Sequence, residues 1–490
     1  MASIKKNFLY SGLLTTANYI FPMLTYPYVS RVLGVTNIGT CNFIDSIIHY
    51  FIIFSMLGIN IVGIREVAQN TDNRSKLNEI FSSLFWLNTI TTSIALLFLI
   101  IATLYVNQLR EHFNLMLIGA LKLVFNYLTI DWFYKGLENF KYITTRSLII
   151  RCLYVVSVFL FIHDADDYPI YYFLSVVCIV INAVVNLLYS RHFVTIIIQG
   201  VKLKKYIKTY MTMGFYLLLT SMYTTFNVAY LGFVAGGTEV GYYTTASKLY
   251  HIFIGVFTAF TGVMLPRMSS LLSEGKENKF KSLLNRSNDI LLNCSIPVII
   301  FVIIYAPTII FVIAGTGYEG EIQPMQIMMP LMLIIGYEQI IIVQVLTPMK
   351  KDKAILLNSI MGSLTGLMLN ILLVYYLKSI GSSIVWLFSE LAVLCSAQHF
   401  VTKYARFSFP WHALFRYIIR YTPLAIVIML CMLWIPNQWT SIIAASTISI
   451  SYFLVLNVVI LKEGEVRYLI MNCLKYVNSK SRWTKKGIIP

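Results

Sequence analysis

Apolar runs of about twenty residues, separated by short polar turns, recur along almost the whole chain, and each is long enough to cross a ~30 Å hydrocarbon core as an α-helix. The pattern predicts spans at 9–30, 41–62, 80–105, 113–133, 143–162, 170–190, 211–234, 246–265, 290–313, 325–346, 355–377, 384–402, 421–435 and 440–461. A membrane barrel would instead show short alternating segments. The expected fold is therefore an all-α polytopic membrane protein of about 14 transmembrane helices. The first run follows Lys5 and Lys6 but is too long for a secretory leader, so it reads as a retained helix.

Composition sharpens this picture. Of 490 residues, 58% are hydrophobic and 12% charged, against about 25% charged in soluble domains. A formal charge of +17 would suit nucleic acid, but its distribution argues otherwise. With the amino terminus inside, the opposite loops keep only Arg31, Arg110 and Lys378. That asymmetry orients helices during insertion and puts both termini in the cytoplasm. The cysteines are scattered without CxxC spacing, which gives neither a disulfide framework nor a metal site.

The chain also repeats itself. At an offset of 202 residues, Tyr28 matches Tyr230, Gly34 matches Gly236, Thr36 matches Thr238, Gly39 matches Gly241, His49 matches His251 and Arg65 matches Arg267. Each copy would hold six helices, so both enter from the same face, as in parallel transporter repeats. This predicts an N-lobe at 1–205, a C-lobe at 206–405, two further helices at 406–462 and a basic cytoplasmic tail at 463–490. Parallel lobes around a mid-membrane interface are the architecture of alternating access.

Ionisable side chains inside the bilayer are costly and face a cavity or a partner. Asp45 and His49 share one helix face, as do Lys248 and His251 in the equivalent helix of the second copy. Two readings stand: an ion pair tying the lobes together, or the lining of a chamber that binds an anionic head group or relays protons. Lys122, Arg146 and Arg151 add cations; Arg151 lies roughly 13 Å into its helix, while Arg146 is placed to snorkel to lipid phosphates. Glu338 and Glu390 are candidate ion carriers or structural partners, and Asp131 beside Trp132 reads as an interfacial anchor. Arg31, replaced by Phe233 in the second copy, tips the charge positive and favours an anionic cargo.

Other motifs lead nowhere. "GTGYEG" at 315–320 fits a dinucleotide fingerprint, but it follows an apolar span and leads to Pro324, so it reads as a tight turn. "HDADD" at 163–167 reads as a solvated loop. No GxxxxGKS or GxxxxGKT occurs, and no paired catalytic carboxylates sit in a sizeable soluble domain, so no enzyme is expected. The basic tail suits anionic lipid.

"YPYVSRVLGVTNIG", "GINIVGIREVA", "DWFYKGLENFKYITTRSLIIR", "EVGYYTTASKL" and "LPRMSSLL" resemble, in order and spacing, the Wzx-like polysaccharide biosynthesis flippases of the MOP/MATE superfamily. The resemblance implies two six-helix lobes around an often cationic cavity, with two additional helices. It implies a bacterial inner-membrane flippase carrying undecaprenyl-pyrophosphate-linked oligosaccharide units, for O-antigen, capsule or exopolysaccharide, to the outer leaflet. Coupling to a proton or sodium gradient is implied, with no other cofactor. Implied partners are the lipid-linked oligosaccharide, anionic lipids, a polysaccharide polymerase and a chain-length regulator. The family motif positions carried over are Arg31, Gly34, Arg65, Glu66, Asp131, Trp132, Gly136, Glu138, Tyr243 and Lys248. A multidrug or cation antiporter and a lipid II flippase are the alternatives; a membrane glycosyltransferase or polymerase would need a large catalytic loop.

Overall fold

The computed structural model describes residues 4–460, so the predicted basic tail at 463–490 lies outside the described residues. The first copy of the repeat holds α1 (Ile4–Met56), α2 (Ile59–Ala68), α3 (Arg74–Tyr105), α4 (Asn107–Glu111), α5 (Phe113–Asn126), α6 (Asp131–Gly136), α7 (Phe140–Phe161) and α8 (Tyr168–Ser190). After it come α9 (Leu203–Thr224), α10 (Phe226–Ser273), α11 (Glu277–Ile313), α12 (Ile322–Met328) and α13 (Leu331–Ile341). The chain closes with α14 (Asp352–Leu369), α15 (Tyr375–Ala405), α16 (Trp411–Trp434) and α17 (Gln438–Val455). No strand occurs among the described residues.

Among the described residues, ten helices are long and apolar enough to cross a membrane, and one pair bent by 41° would make eleven. The count of 14 is not reached because two predicted pairs run together without a loop, and predicted span seven (211–234) is divided between α9, which is not among the spanning helices, and the start of α10. Spans one and two are both α1, although the polar 31–40 stretch reads as a connection. At 53 residues α1 would be about 80 Å long if straight. It breaks at one residue, Gly34, with φ 74° and ψ 168°, a region essentially closed to side chains. The second copy does the same within α10, at Gly236, with φ 79° and ψ −176°. Spans eleven and twelve join through a break at Lys378, whose φ is 48°.

The chain forms two compact units. The first comprises, of the described residues, 4–259, 310–328 and 356–396. Here α3 shows how a bilayer protein sorts its faces: Ile90, Ile94, Leu97 and Ile101 are exposed, while Asn88 and Thr92 are buried. With no water in the hydrocarbon, inward polar groups pair across helices. Thr92 meets Ser55 at 2.5 Å, and the Tyr210 hydroxyl donates to Asn88 at 3.0 Å. The second unit comprises, of the described residues, 260–309, 329–355 and 397–460. It uses the same device: Tyr421 of α16 donates to Asn293 of α11 at 2.6 Å, and Tyr305 of α11 pairs with Ser441 of α17 at 2.7 Å.

In the first unit, the 202-residue register becomes contact. Thr36 meets its own counterpart Thr238 at 2.9 Å, and Asn42 donates to its counterpart Thr244 at 2.8 Å. Gly39 and Gly241 let the two backbones touch: a Cβ on Gly39 would stand 2.5 Å from the Gly241 nitrogen. Loops predicted on the extracytoplasmic side join at this seam. Arg31 donates to the Val312 carbonyl at 2.5 Å, Asn37 to Ala165 at 2.8 Å and Gln108 to Phe233 at 3.0 Å. Ser379, beside Lys378, donates to Glu239 at 2.6 Å. The "GTGYEG" stretch is the expected turn, with Gly315 and Gly317 both at positive φ.

Candidate functional site

A cavity of about 510 Å³ lies within the first unit, walled by α1, the end of α5, α6, α7, α8 and one residue of α10. Its charged lining residues are Asp131, Arg146, Arg151 and Lys248, so three cations against one carboxylate leave two positive charges. A smaller cavity of about 260 Å³ shares Pro22, Tyr26 and Lys248 with it and adds His251.

The three cations are held differently. Arg146 is buried; it donates to Asp131 at 3.0 Å and to the side-chain oxygen of Asn186, which also receives the Tyr142 hydroxyl at 2.9 Å. The expectation that Arg146 snorkels to lipid phosphate is therefore overturned, because its partners all lie inward. Asp131 is likewise no surface anchor: its carboxylate serves Arg146, and Trp132 is buried and stacked on Phe81 at 5.7 Å. Arg151 and Lys248, by contrast, rest on neutral partners. Arg151 donates to Asn18 at 2.5 Å. Lys248 donates to Asn42 at 3.4 Å and sits 4.7 Å from the centre of the Tyr26 ring. A cation held by amides and a ring keeps its charge available to a guest.

Other predicted residues fall elsewhere. Asp45 pairs with Lys122, not with Lys248, and also receives the Tyr172 hydroxyl at 3.2 Å. The notion of an ion pair joining the two copies through Asp45 and Lys248 is thus replaced by a pair within the first copy. Lys122 is spent on that pair and does not line the cavity. His49, one turn beyond Asp45, is exposed. His251 packs on Trp386 at 5.6 Å, and the Trp386 indole donates to Glu390 at 3.0 Å, which gathers three residues of the second copy into one chain. Glu338 lies on α13 in the second unit. Arg31 sits at the seam, its side chain over Gly315 and its guanidinium on Val312, outside both cavity linings.

The motif residues prove to be joinery. A Cβ on Gly63, in "GINIVGIREVA", would strike the Trp132 ring, and one on Gly136 would stand 2.7 Å from Val67, so α2 and α6 dock through glycines. Arg65 pairs with its neighbour Glu66 at 3.0 Å, and Glu138 turns the chain after α6 at φ 56°. Tyr243 is buried against Asn227. Sequence reasoning passed over Asn18, Asn42 and Asn186, uncharged amides whose only signal was polarity within an apolar run. It also passed over Glu321, which is fully buried.

The sequence profile described as "Polysaccharide biosynthesis protein" matches residues 4–272. A protein of Escherichia coli (strain K12) named "Putative O-antigen transporter" is 26% identical over 400 residues, covering 80% of this chain and 95% of that protein. One of the same name from Shigella dysenteriae is 25% identical over 394 residues, covering 80% and 98%. Among solved structures, the lipid II flippase MurJ in an inward closed conformation superposes with a TM-score of 0.74 at 14% identity, covering 93% of this chain and 99% of that one. An inward-facing multidrug MATE transporter of the MOP superfamily gives 0.61 at 12% identity, covering 81% and 100%. At such identities these two likenesses speak for the fold alone.

Proposed function

The chain belongs to the polysaccharide biosynthesis protein family, and from that premise we propose that it is a bacterial inner-membrane flippase for undecaprenyl-pyrophosphate-linked oligosaccharide. The observation that carries this reading is the pair Arg151 and Lys248, two cations facing one cavity whose hydrogen bonds go to neutral amides. A pyrophosphate is a compact, multiply charged anion, and charge-assisted hydrogen bonds to such a group are strong in a site poor in water. The same excess charge opposes a cationic drug, which separates this reading from a MATE-type antiporter. The two relatives named "Putative O-antigen transporter" support a sugar-linked cargo.

In this scheme the lobes at 1–205 and 206–405 rock about the cavity, with both termini cytoplasmic and the Gly34–Gly236 seam on the exit side. Cargo enters from the cytoplasmic leaflet, the seam parts, and the head group leaves outward in exchange for an ion. The test is restoration of surface polysaccharide in a flippase-null strain. Arg151→Ala and Lys248→Ala proteins are expected to insert at normal levels, fail to restore the polysaccharide and leave lipid-linked units to accumulate inside. Full restoration by both variants would sink the assignment.

A further inference from the structure

Glu321 follows the Gly315–Gly317 turn and is 0% exposed; the Thr245 hydroxyl lies close to its carboxylate but donates to the Gly241 carbonyl, so neither carboxylate oxygen has a partner in good hydrogen-bond geometry. The residues nearest it come from three elements. Tyr26 faces it from α1, Tyr242 and Thr245 from α10, and Tyr318 from its own turn. The neighbouring hydroxyls are engaged with one another or with backbone: Tyr26 pairs with Thr245, Thr245 donates to the Gly241 carbonyl at 2.8 Å, and Tyr318 donates to the Ser30 carbonyl at 3.0 Å. Of the two cations of this region, Arg31 donates to the Val312 carbonyl, and Lys248 donates to Asn42 and faces the Tyr26 ring. Glu239 is engaged by Ser379, and Glu319 by the Gly317 amide at 3.1 Å.

A bare carboxylate without partners is expensive to bury, whereas the neutral acid is not. The location makes this more than a packing oddity. Glu321 faces the Tyr26–Thr245 pair, which joins α1 to α10, the same two helices that meet further along at Thr36 and Thr238. We propose that Glu321 is a proton-binding site that latches the seam: carrying a proton it is buried and the seam closes, and losing the proton it drives the seam open.

The proposal rests on the alternating-access reading and names its coupling ion. The carboxylate picks up the proton from water on the exit side while the seam is open, the neutral acid then withdraws among the tyrosines, and the proton leaves to water on the cytoplasmic side before the seam reopens. Sodium, which would need a ring of oxygens around the carboxylate, is the competing ion that the test below separates. Closing takes up a proton, so closure is favoured at low pH and weakens as pH rises. For one proton, the closed-to-open ratio changes by up to about tenfold per pH unit.

The test needs no cargo. Thr36→Cys and Thr238→Cys are introduced together into the full-length protein in proteoliposomes, and disulfide yield with a copper oxidant is followed against pH. A Glu321→Gln version, permanently neutral, serves as the reference at each pH and cancels the pH dependence of thiol chemistry. The yield relative to that reference is expected to fall several-fold as pH rises, and Glu321→Asp is expected to keep the fall. A flat ratio overturns the proposal, as does a yield that follows sodium, tested against N-methylglucamine at fixed pH. Should Glu321→Gln not fold, the Asp and parent proteins each titrated against an unfolded-peptide dithiol give the same answer. A pH-dependent seam in a protein whose Arg151 and Lys248 variants restore polysaccharide would keep the latch and remove the cargo assignment.

Discussion

The seam and the cavity use the same pair of helices by opposite means. At the seam, α1 and α10 meet residue for counterpart, Thr36 on Thr238, Asn42 on Thr244 and Gly39 on Gly241. At the cavity the balance is lost: α5, α6, α7 and α8 of the first copy line it, and the second copy contributes Lys248 alone. Symmetry survives where backbone must touch backbone, because only a small residue satisfies both sides. It disappears where a charge has to face a guest, because a guest has a single orientation.

The seam is where this comparison breaks hardest. Gly39→Val would drive two methyl groups into the Gly237 and Gly241 backbone. Backbone cannot rotate aside as a side chain does, so overpacking should cost about 3 kcal/mol. The expected result is a sharply lowered melting temperature in detergent and little mature protein in the membrane. Gly262→Val makes the contrast, since a Cβ there meets nothing within 4 Å. Near-normal behaviour of Gly39→Val would mean that the close approach is not what holds α1 to α10.

An intermediate effect is expected at Asp45–Lys122, a charge pair that belongs to neither region's function. Lys122 is mostly buried and the Asp45 side chain is 39% exposed. Removing one partner of a buried pair costs several kcal/mol, but solvent at Asp45 screens this, and Lys122→Ala should lose about 1–2 kcal/mol. The double change Asp45→Asn with Lys122→Met should recover most of that loss. Transport per folded molecule should hold, because neither residue lines the cavity. Loss of transport with full stability would return the pair to the list of cavity charges.

How much of this was legible in the chain follows from the same contrast. The seam could be read, because glycines and threonines repeated at a fixed offset are rare in apolar sequence, and Gly34 and Gly236 do share one backbone conformation. That the exit costs a single residue could not be read: a polar stretch looks like a loop whether it bends once or unwinds. The intramembrane charges were visible, but their partners were not. Arg146 points to Asp131 across two helices, and Lys122 to Asp45 across a distance of 77 residues in sequence. Periodicity assigns a face, not the helix that the face meets. Glu321 escaped because a carboxylate beside a glycine turn looks solvated until Tyr26 and Thr245 close over it.

The smallest expected effect separates the two kinds of contact within the seam itself. Thr36 and Thr238 share one hydrogen bond, but Thr36 is exposed, so water can replace the bond. Thr36→Val should therefore cost at most about 1 kcal/mol, and replacing both partners by valine, which keeps their shape, should be closer to neutral than either single change. Thermal denaturation of the three proteins in one detergent gives the comparison. Glycine contact would then hold the seam and the hydroxyl pair would only register it. A double variant that melts lower than the sum of its singles would make the threonines partners in the closure, and would give the seam a polar component that must be broken each time it opens.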